Sequence, residues 1–226
     1  MIASLTLSIC TLYLATNVAA ADGEATPAKP FQFHVSVGAT HEDNLFRLMD
    51  SSEGQALLNT EDLADWYHYL GAGFSGVIAN DNQRFELLGD IQRQAYDRFS
   101  DLDHTSGRFR GVWHWRVSEQ TRGELGYRYR RELRSFTNQN VPYKDIIEQN
   151  TVFAAIERTI AQRWLLRVSG EADDFTFSGS PLLQKQRGTV EAELRYAASQ
   201  QSTFGIITTF TNSAFDANQG QVLGVQ

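Results

Sequence analysis

From Phe31 onward this 226-residue chain repeats apolar residues at every second position, and no other feature constrains its fold as strongly. A period of two is the mark of strands with one buried or lipid-facing side. Phe31, Phe33, Val35 and Val37 alternate with Gln32, His34 and Ser36. Leu70, Ala72, Phe74 and Ile78 alternate with Tyr69, Gly71, Gly73 and Ser75, and Phe85, Leu87, Gly89 and Ile91 with Glu86, Leu88, Asp90 and Gln92. "RFRGVWHWRVSEQTRGELGYRYRRE" supplies a fourth and a fifth strand, broken at "SEQT". Val152, Ala154 and Ile156 mark a sixth, where Phe153 and Ala155 blur the alternation. Three more follow around Trp164–Asp173, Thr189–Tyr196 and Phe204–Phe210, which makes nine in all.

The breaks between strands are of two kinds. Short polar ones start at Asn80, Ser118, Thr159 and Ala198, a spacing of about 40 residues that fits one hairpin per repeat. Longer ones lie between them, over His41–Ala64, Ser100–Thr105, Ser135–Gln149 and Phe177–Gln184. Successive turns of an up-and-down antiparallel sheet fall at opposite ends. Short turns at one end and long loops at the other are the pattern of outer-membrane barrels, with the short turns periplasmic. A Greek-key sandwich has no reason to sort its connections in this way.

The fold class expected is therefore all-β, an up-and-down antiparallel transmembrane β-barrel. Lipid offers the backbone no hydrogen-bond partners, so an open edge within it leaves a row of amides and carbonyls unpaired. Strands of about 10 residues suffice to cross when tilted. Bacterial single-chain barrels have even strand numbers. The terminal "GQVLGVQ" reads as the start of a tenth strand, and the barrel domain 31–226 is expected to be incomplete.

Composition fits this reading. Hydrophobic content of 42% and a mean hydropathy of −0.36 exclude a bundle of transmembrane helices but not a barrel, in which only alternate residues meet lipid. A net charge of −7 argues against a nucleic-acid partner. The first 20 residues, "MIASLTLSICTLYLATNVAA", read as a signal peptide cut after Val18-Ala19-Ala20, although no Lys or Arg precedes the apolar run. Residues 21–30, "ADGEATPAKP", read as a flexible linker. Cys10, the one cysteine, lies inside the signal, so neither a disulfide framework nor a cysteine metal site is expected.

The two strand phases divide the candidate residues. Glu86, Asp90, Arg108, Arg110, Glu124, Arg128, Arg130, Glu171, Asp173, Glu191, Glu193 and Arg195 fall in the polar phase and are expected to line a lumen. Side chains mostly fill barrels of this size, so a plugged interior is the default and a selective channel the sharper expectation. Trp113, Trp115, Tyr127, Tyr129 and Trp164 share the apolar phase and are expected to form an aromatic girdle near the periplasmic interface. The five histidines show no metal-binding spacing and no catalytic set, so no catalytic residue, metal or cofactor is expected. "HEDNLFRL" offers oxygen ligands at Glu42, Asp43 and Asn44, but not in EF-hand order, and reads as a loop start.

The segments "THEDNLFRL", "NQRFELLGDIQRQAYDRFSDLDHT" and "WHWRVSEQTRGELGYRYRRELRSF" resemble the outer-membrane β-barrel proteins of exopolysaccharide biosynthesis operons, the EpsL-like proteins, within a broader β-barrel porin set. The resemblance runs from about Phe31 to Tyr196, and "DNLFRL" and "RFEL…YDRFSDLD" are its most specific parts. It implies residence in the outer membrane and a non-enzymatic role as channel or accessory factor in exopolysaccharide export. Membrane lipid, exopolysaccharide and the export machinery are the implied partners. Members of that group continue to a C-terminal strand ending in an aromatic, whereas this chain ends in Val225-Gln226. A general porin-like or structural barrel, a barrel-borne hydrolase and a soluble periplasmic glycan-binding sandwich are the alternatives.

Overall fold

The computed structural model describes residues 31–49, 51–136, 143–161, 163–179, 184–198 and 203–215. The expected signal, linker and tenth strand lie outside them. The chain is all-β. Nine strands form one antiparallel sheet in sequence order: β1 (Phe31–Glu42), β2 (Asp65–Ala79), β3 (Gln83–Tyr96), β4 (His104–Ser118), β5 (Thr121–Leu133), β6 (Ile146–Ala161), β7 (Trp164–Phe177), β8 (Lys185–Ala197) and β9 (Thr203–Phe215). The order is that of an up-and-down sheet, with no crossed connection of the sandwich kind among the described strands. β1 and β9 are its outer strands and are not paired with each other among the described residues. No described helix is long and apolar enough to cross a membrane, which leaves crossing by strands untouched.

Connections alternate as the sequence suggests: short at 80–82, 119–120, 162–163 and 198–202, long at 43–64, 97–103, 134–145 and 178–184. Several boundaries differ: β1 keeps His41 and Glu42, which the sequence reading places in the break, and β4 begins at His104. Thr159–Ala161 belongs to β6 rather than to a turn, because the ladder with β7 continues through an irregularity between Thr159 and Ala161. β6 also starts at Ile146, earlier than the loop expected to reach Gln149. The longest connection folds a short helix, α1 (Ser51–Leu58), which the period-two pattern does not announce. Asn59 closes it in the left-handed region (φ 56°), its N–H donating to Gln55 O at 3.2 Å, a position Asn tolerates.

Two compact units are distinguishable. One holds the chain up to Val77, Leu87–Phe109 and Arg130–Ile146. Its buried core is made by the long connections and not by the strands' middles: Leu45, Phe46, Leu63, Tyr96, Leu102 and Phe136. The Phe46 ring meets Phe99 edge-on and Phe136 tilted, both at 4.8 Å between centroids. The two most specific sequence segments thus fold onto each other. Asn44 shapes the first, its Oδ1 accepting Leu48 N–H (3.1 Å) and its Nδ2 donating to Leu48 O (2.7 Å), with Arg47 at φ 57°. Asp43 pairs with His41 at 3.1 Å. Buried Asp65 accepts the N–H groups of Trp66 (2.8 Å), Arg98 (3.1 Å) and Phe99 (3.0 Å), fixing the start of the β3–β4 connection. The loop reading of "HEDNLFRL" fits this geometry, since Asp43 and Asn44 already have partners within the turn.

The other unit holds Ile78–Glu86, Arg110–Tyr129 and the chain from Ile147 on, including all four short connections. Its strands are glued by cross-strand pairs, among them Thr189↔Thr211 and Trp164↔Tyr196. Two glycines are required by close approach: a Cβ on Gly126 would lie 2.2 Å from Phe153 Cζ, and one on Gly123 2.5 Å from the Ala155 carbonyl oxygen. In the first unit the same holds at Gly73, where a Cβ would lie 2.4 Å from His34 Cε1.

Candidate functional site

Strand alternation sorts the side chains onto two faces of opposite character. On one face stand Val35, Leu70, Ile91, Leu125, Val152, Val168, Val190, Ile206 and Phe210, all exposed, with Phe33 at 72% and Phe210 at 70%. Exposed apolar rows of this extent mark a surface made for something other than water. The opposite face carries the charges.

In the unit that holds the short connections, acids and arginines meet in turn. Glu86 accepts from Arg84 (2.8 Å) and Arg110 (3.3 Å) and lies 3.7 Å from His114. Glu124 lies 3.5 Å from both His114 and Arg167. Arg122 Nε donates to Glu157 (2.6 Å), and Arg128 donates to Glu171. Arg187 donates to Asp173 (2.6 Å) and lies 3.5 Å from Glu171. Asp173 is buried and also accepts from Thr151 Oγ1 (2.6 Å) and Gln149 Nε2 (2.9 Å). Arg195 pairs with Glu193 on its own strand at 2.7 Å, and Glu191 accepts from Thr209 Oγ1 at 3.3 Å.

Several of these pairs straddle β6. Arg128 and Glu124 stand on β5, while their partners Glu171 and Arg167 stand on β7. β6 offers Phe153 and Ala155 to this face in between, with the Arg128 guanidinium 5.0 Å from the Phe153 ring centre. The result is a groove of about 470 Å³ with an apolar floor at Phe153 and Ala155 and a rim that includes Arg128, Glu171, Thr189 and Glu191. Apolar floors ringed by a few oriented polar groups are the general form of small-ligand sites.

In the unit that holds the first three long connections, Asp90 bridges His34 (3.0 Å) and Arg108 (2.8 Å), and Arg130 pairs with Glu132 (3.3 Å). These residues border a second groove of about 530 Å³ with Ser36 and Gln92. Its unit also holds His104, buried and stacked on Tyr96 at 6.2 Å, with Nδ1 2.8 Å from Leu102 O.

All twelve sequence-selected charged residues stand on the charged face and have partners there. The sequence reading puts His34 in the polar phase, at a lumen or rim position, but does not select Arg122, Glu157, Arg167, Arg187 or Phe153. The four charged residues share the alternating phase and were open to detection; the one signal for Phe153 was the blur it makes in the alternation of its strand. On the apolar face, Trp113, Trp115 and Trp164 flank short connections. Phe85 stacks on Trp113 (5.9 Å, 3°) and Tyr196 packs on Trp164 (4.8 Å). Tyr127 lies at the middle of β5 and Tyr129 beyond it, with Tyr127 Oη donating to Asn150 Oδ1 (2.6 Å). These two tyrosines therefore share the face of the three tryptophans but not their place beside the turns. No metal-ligating group of three is present among the described residues. No family model, curated protein or solved structure matches this chain.

Proposed function

We propose that this chain is a β-barrel component of the outer membrane whose charged face lines a hydrophilic interior serving exopolysaccharide export, without enzymatic chemistry of its own. The observation that carries the membrane reading is the two-faced sheet: exposed valine, leucine, isoleucine and aromatic rows on one side, paired charges on the other. Long connections alternating with short ones support it.

The exopolysaccharide part rests on the resemblance of "DNLFRL" and "RFEL…YDRFSDLD", and the lining is compatible with it. A pore selective for one ion sign needs an excess of the opposite charge along its wall. Here Glu86, Glu124, Glu157, Glu171, Asp173 and Glu193 each meet an arginine. Such a wall has little net field and many hydrogen-bonding groups, which suits hydroxyl-rich polymers better than ions. The Phe153 floor adds a surface for the apolar face of a sugar ring.

Membrane fractionation with heat-modifiable gel mobility tests the barrel; a protein fully soluble without detergent overturns it. Planar-bilayer recordings in a salt gradient test the lining. A reversal potential near zero is expected, and strong selectivity for either ion sign refutes the balanced wall.

A further inference from the structure

The apolar face changes character at the long-connection end of β3, β4 and β5. Arg93 stands on β3 in the phase of Ile91, which is 59% exposed, and Arg131 stands on β5 in the phase of Leu125. Both point out beside the start of β4. Arg93 lies 3.4 Å from the Asp103 carboxylate, Arg131 Nε donates to Thr105 O at 3.0 Å, and Lys144 Nζ donates to Asp103 O at 2.6 Å. Three cations from three segments thus converge on residues 103–105. Their contacts fall within a three-residue stretch, in which adjacent Cα atoms are about 3.8 Å apart. Asp103 is the carboxylate among them, and it also accepts the Tyr96 N–H at 2.8 Å. Asp101, in the same connection, is a second and exposed acid against the three cations.

A cationic cluster directly beyond an exposed apolar row matches one kind of occupant, a molecule with an anionic head and an apolar tail. Guanidinium and ammonium donors together favour phosphate. We infer that Arg93, Arg131 and Lys144 seat the phosphate of a lipid in the leaflet at the long-connection end, its acyl chains lying along the Ile91 side of the sheet. This rests on the membrane reading above and goes beyond it, since a generic barrel needs no such seat.

The test uses the full chain refolded in detergent micelles, with native mass spectrometry titrating diphosphorylated lipid A and its phosphate-free counterpart. Lipid A is expected to bind in preference. The triple variant R93Q/R131Q/K144Q is expected to weaken it by about a hundredfold, from about a fivefold loss per cation. Arg158→Gln, on the same face near a short connection, is expected to leave it unchanged. Heat-modifiable mobility is read on every variant, so a folding failure is seen separately, and the single substitutions then carry the comparison. A chain that inserts but binds both lipids alike, or whose variants bind lipid A as the parent does, overturns this inference alone. Displacement of the lipid by equimolar inorganic phosphate overturns the lipid as the occupant. A chain that does not enter bilayers overturns the membrane reading and this inference with it.

Discussion

Val190→Arg separates a lipid-facing surface from a wet one. Val190 sits near the middle of β8, opposite Gly170 on β7 and Phe210 on β9, with 53% of it exposed. Only about half of the side chain is packed on protein, so the packing at stake is about half of the 1.5–3 kcal/mol that full burial would give. Much of that is recovered by the methylene stem of arginine. On a surface that faces water the substitution is expected to cost no more than about 0.5 kcal/mol. On the lipid face of a barrel near the midplane it is expected to cost about 2–4 kcal/mol. The two outcomes do not overlap. The assay is urea-driven unfolding from phospholipid vesicles, followed by heat-shifted gel mobility and tryptophan emission. Val190→Leu keeps the position apolar and is expected to be neutral, while Glu191→Gln probes the next residue on the opposite face and keeps an oxygen there to accept from Thr209 Oγ1. A cost below about 0.5 kcal/mol for Val190→Arg in vesicles, or an equal cost for Glu191→Gln, refutes the assignment of faces.

Two further outcomes follow from local geometry. Gly126→Ala places a methyl 2.2 Å from the Phe153 ring and is expected to destabilise by about 1–3 kcal/mol in equilibrium unfolding, a loss largely relieved in the double variant with Phe153→Leu. Asp65→Ala strips the partner from three N–H groups, and at about 1 kcal/mol or more each the loss is expected to reach about 3 kcal/mol by denaturant titration; a loss under 1 kcal/mol shows that water takes over the cap.

The strands were legible because period two is a local signal, carried by Phe33, Val35 and Val37 or by Leu166 and Val168 without reference to any partner. Connection lengths were legible for the same reason. What alternation does not carry is register, because it fixes the face of a residue and not its neighbour. Nothing in the order of residues pairs Arg128 with Glu171 in preference to Glu157. Nor was α1 legible, since eight residues with one acid in the first turn and no basic residue in the last give a weak helical signal. The long-connection core was hidden for a related reason. Leu45, Phe46, Leu102 and Phe136 lie in segments without periodicity, and their burial depends on three connections meeting.

Phe153 and Ala155 show how a blurred pattern can be informative. Arg128 finds no acid next door on β6, where Phe153 stands against Gly126, and it reaches across to Glu171 on β7. Arg167 faces Glu157 directly on β6 and also comes within 3.5 Å of Glu124 on β5, past Ala155. Phe153 and Ala155 thus leave the room that the groove occupies. Phe153→Glu is therefore expected to do more than add a charge. It offers Arg128 a nearer partner and leaves Glu171 to Arg187 alone, which Asp173 already shares, so the wall turns acidic at the groove and the reversal potential is expected to move toward cation selectivity. An unchanged potential means that the groove lies off the conduction path, and the balanced wall then says nothing about what passes.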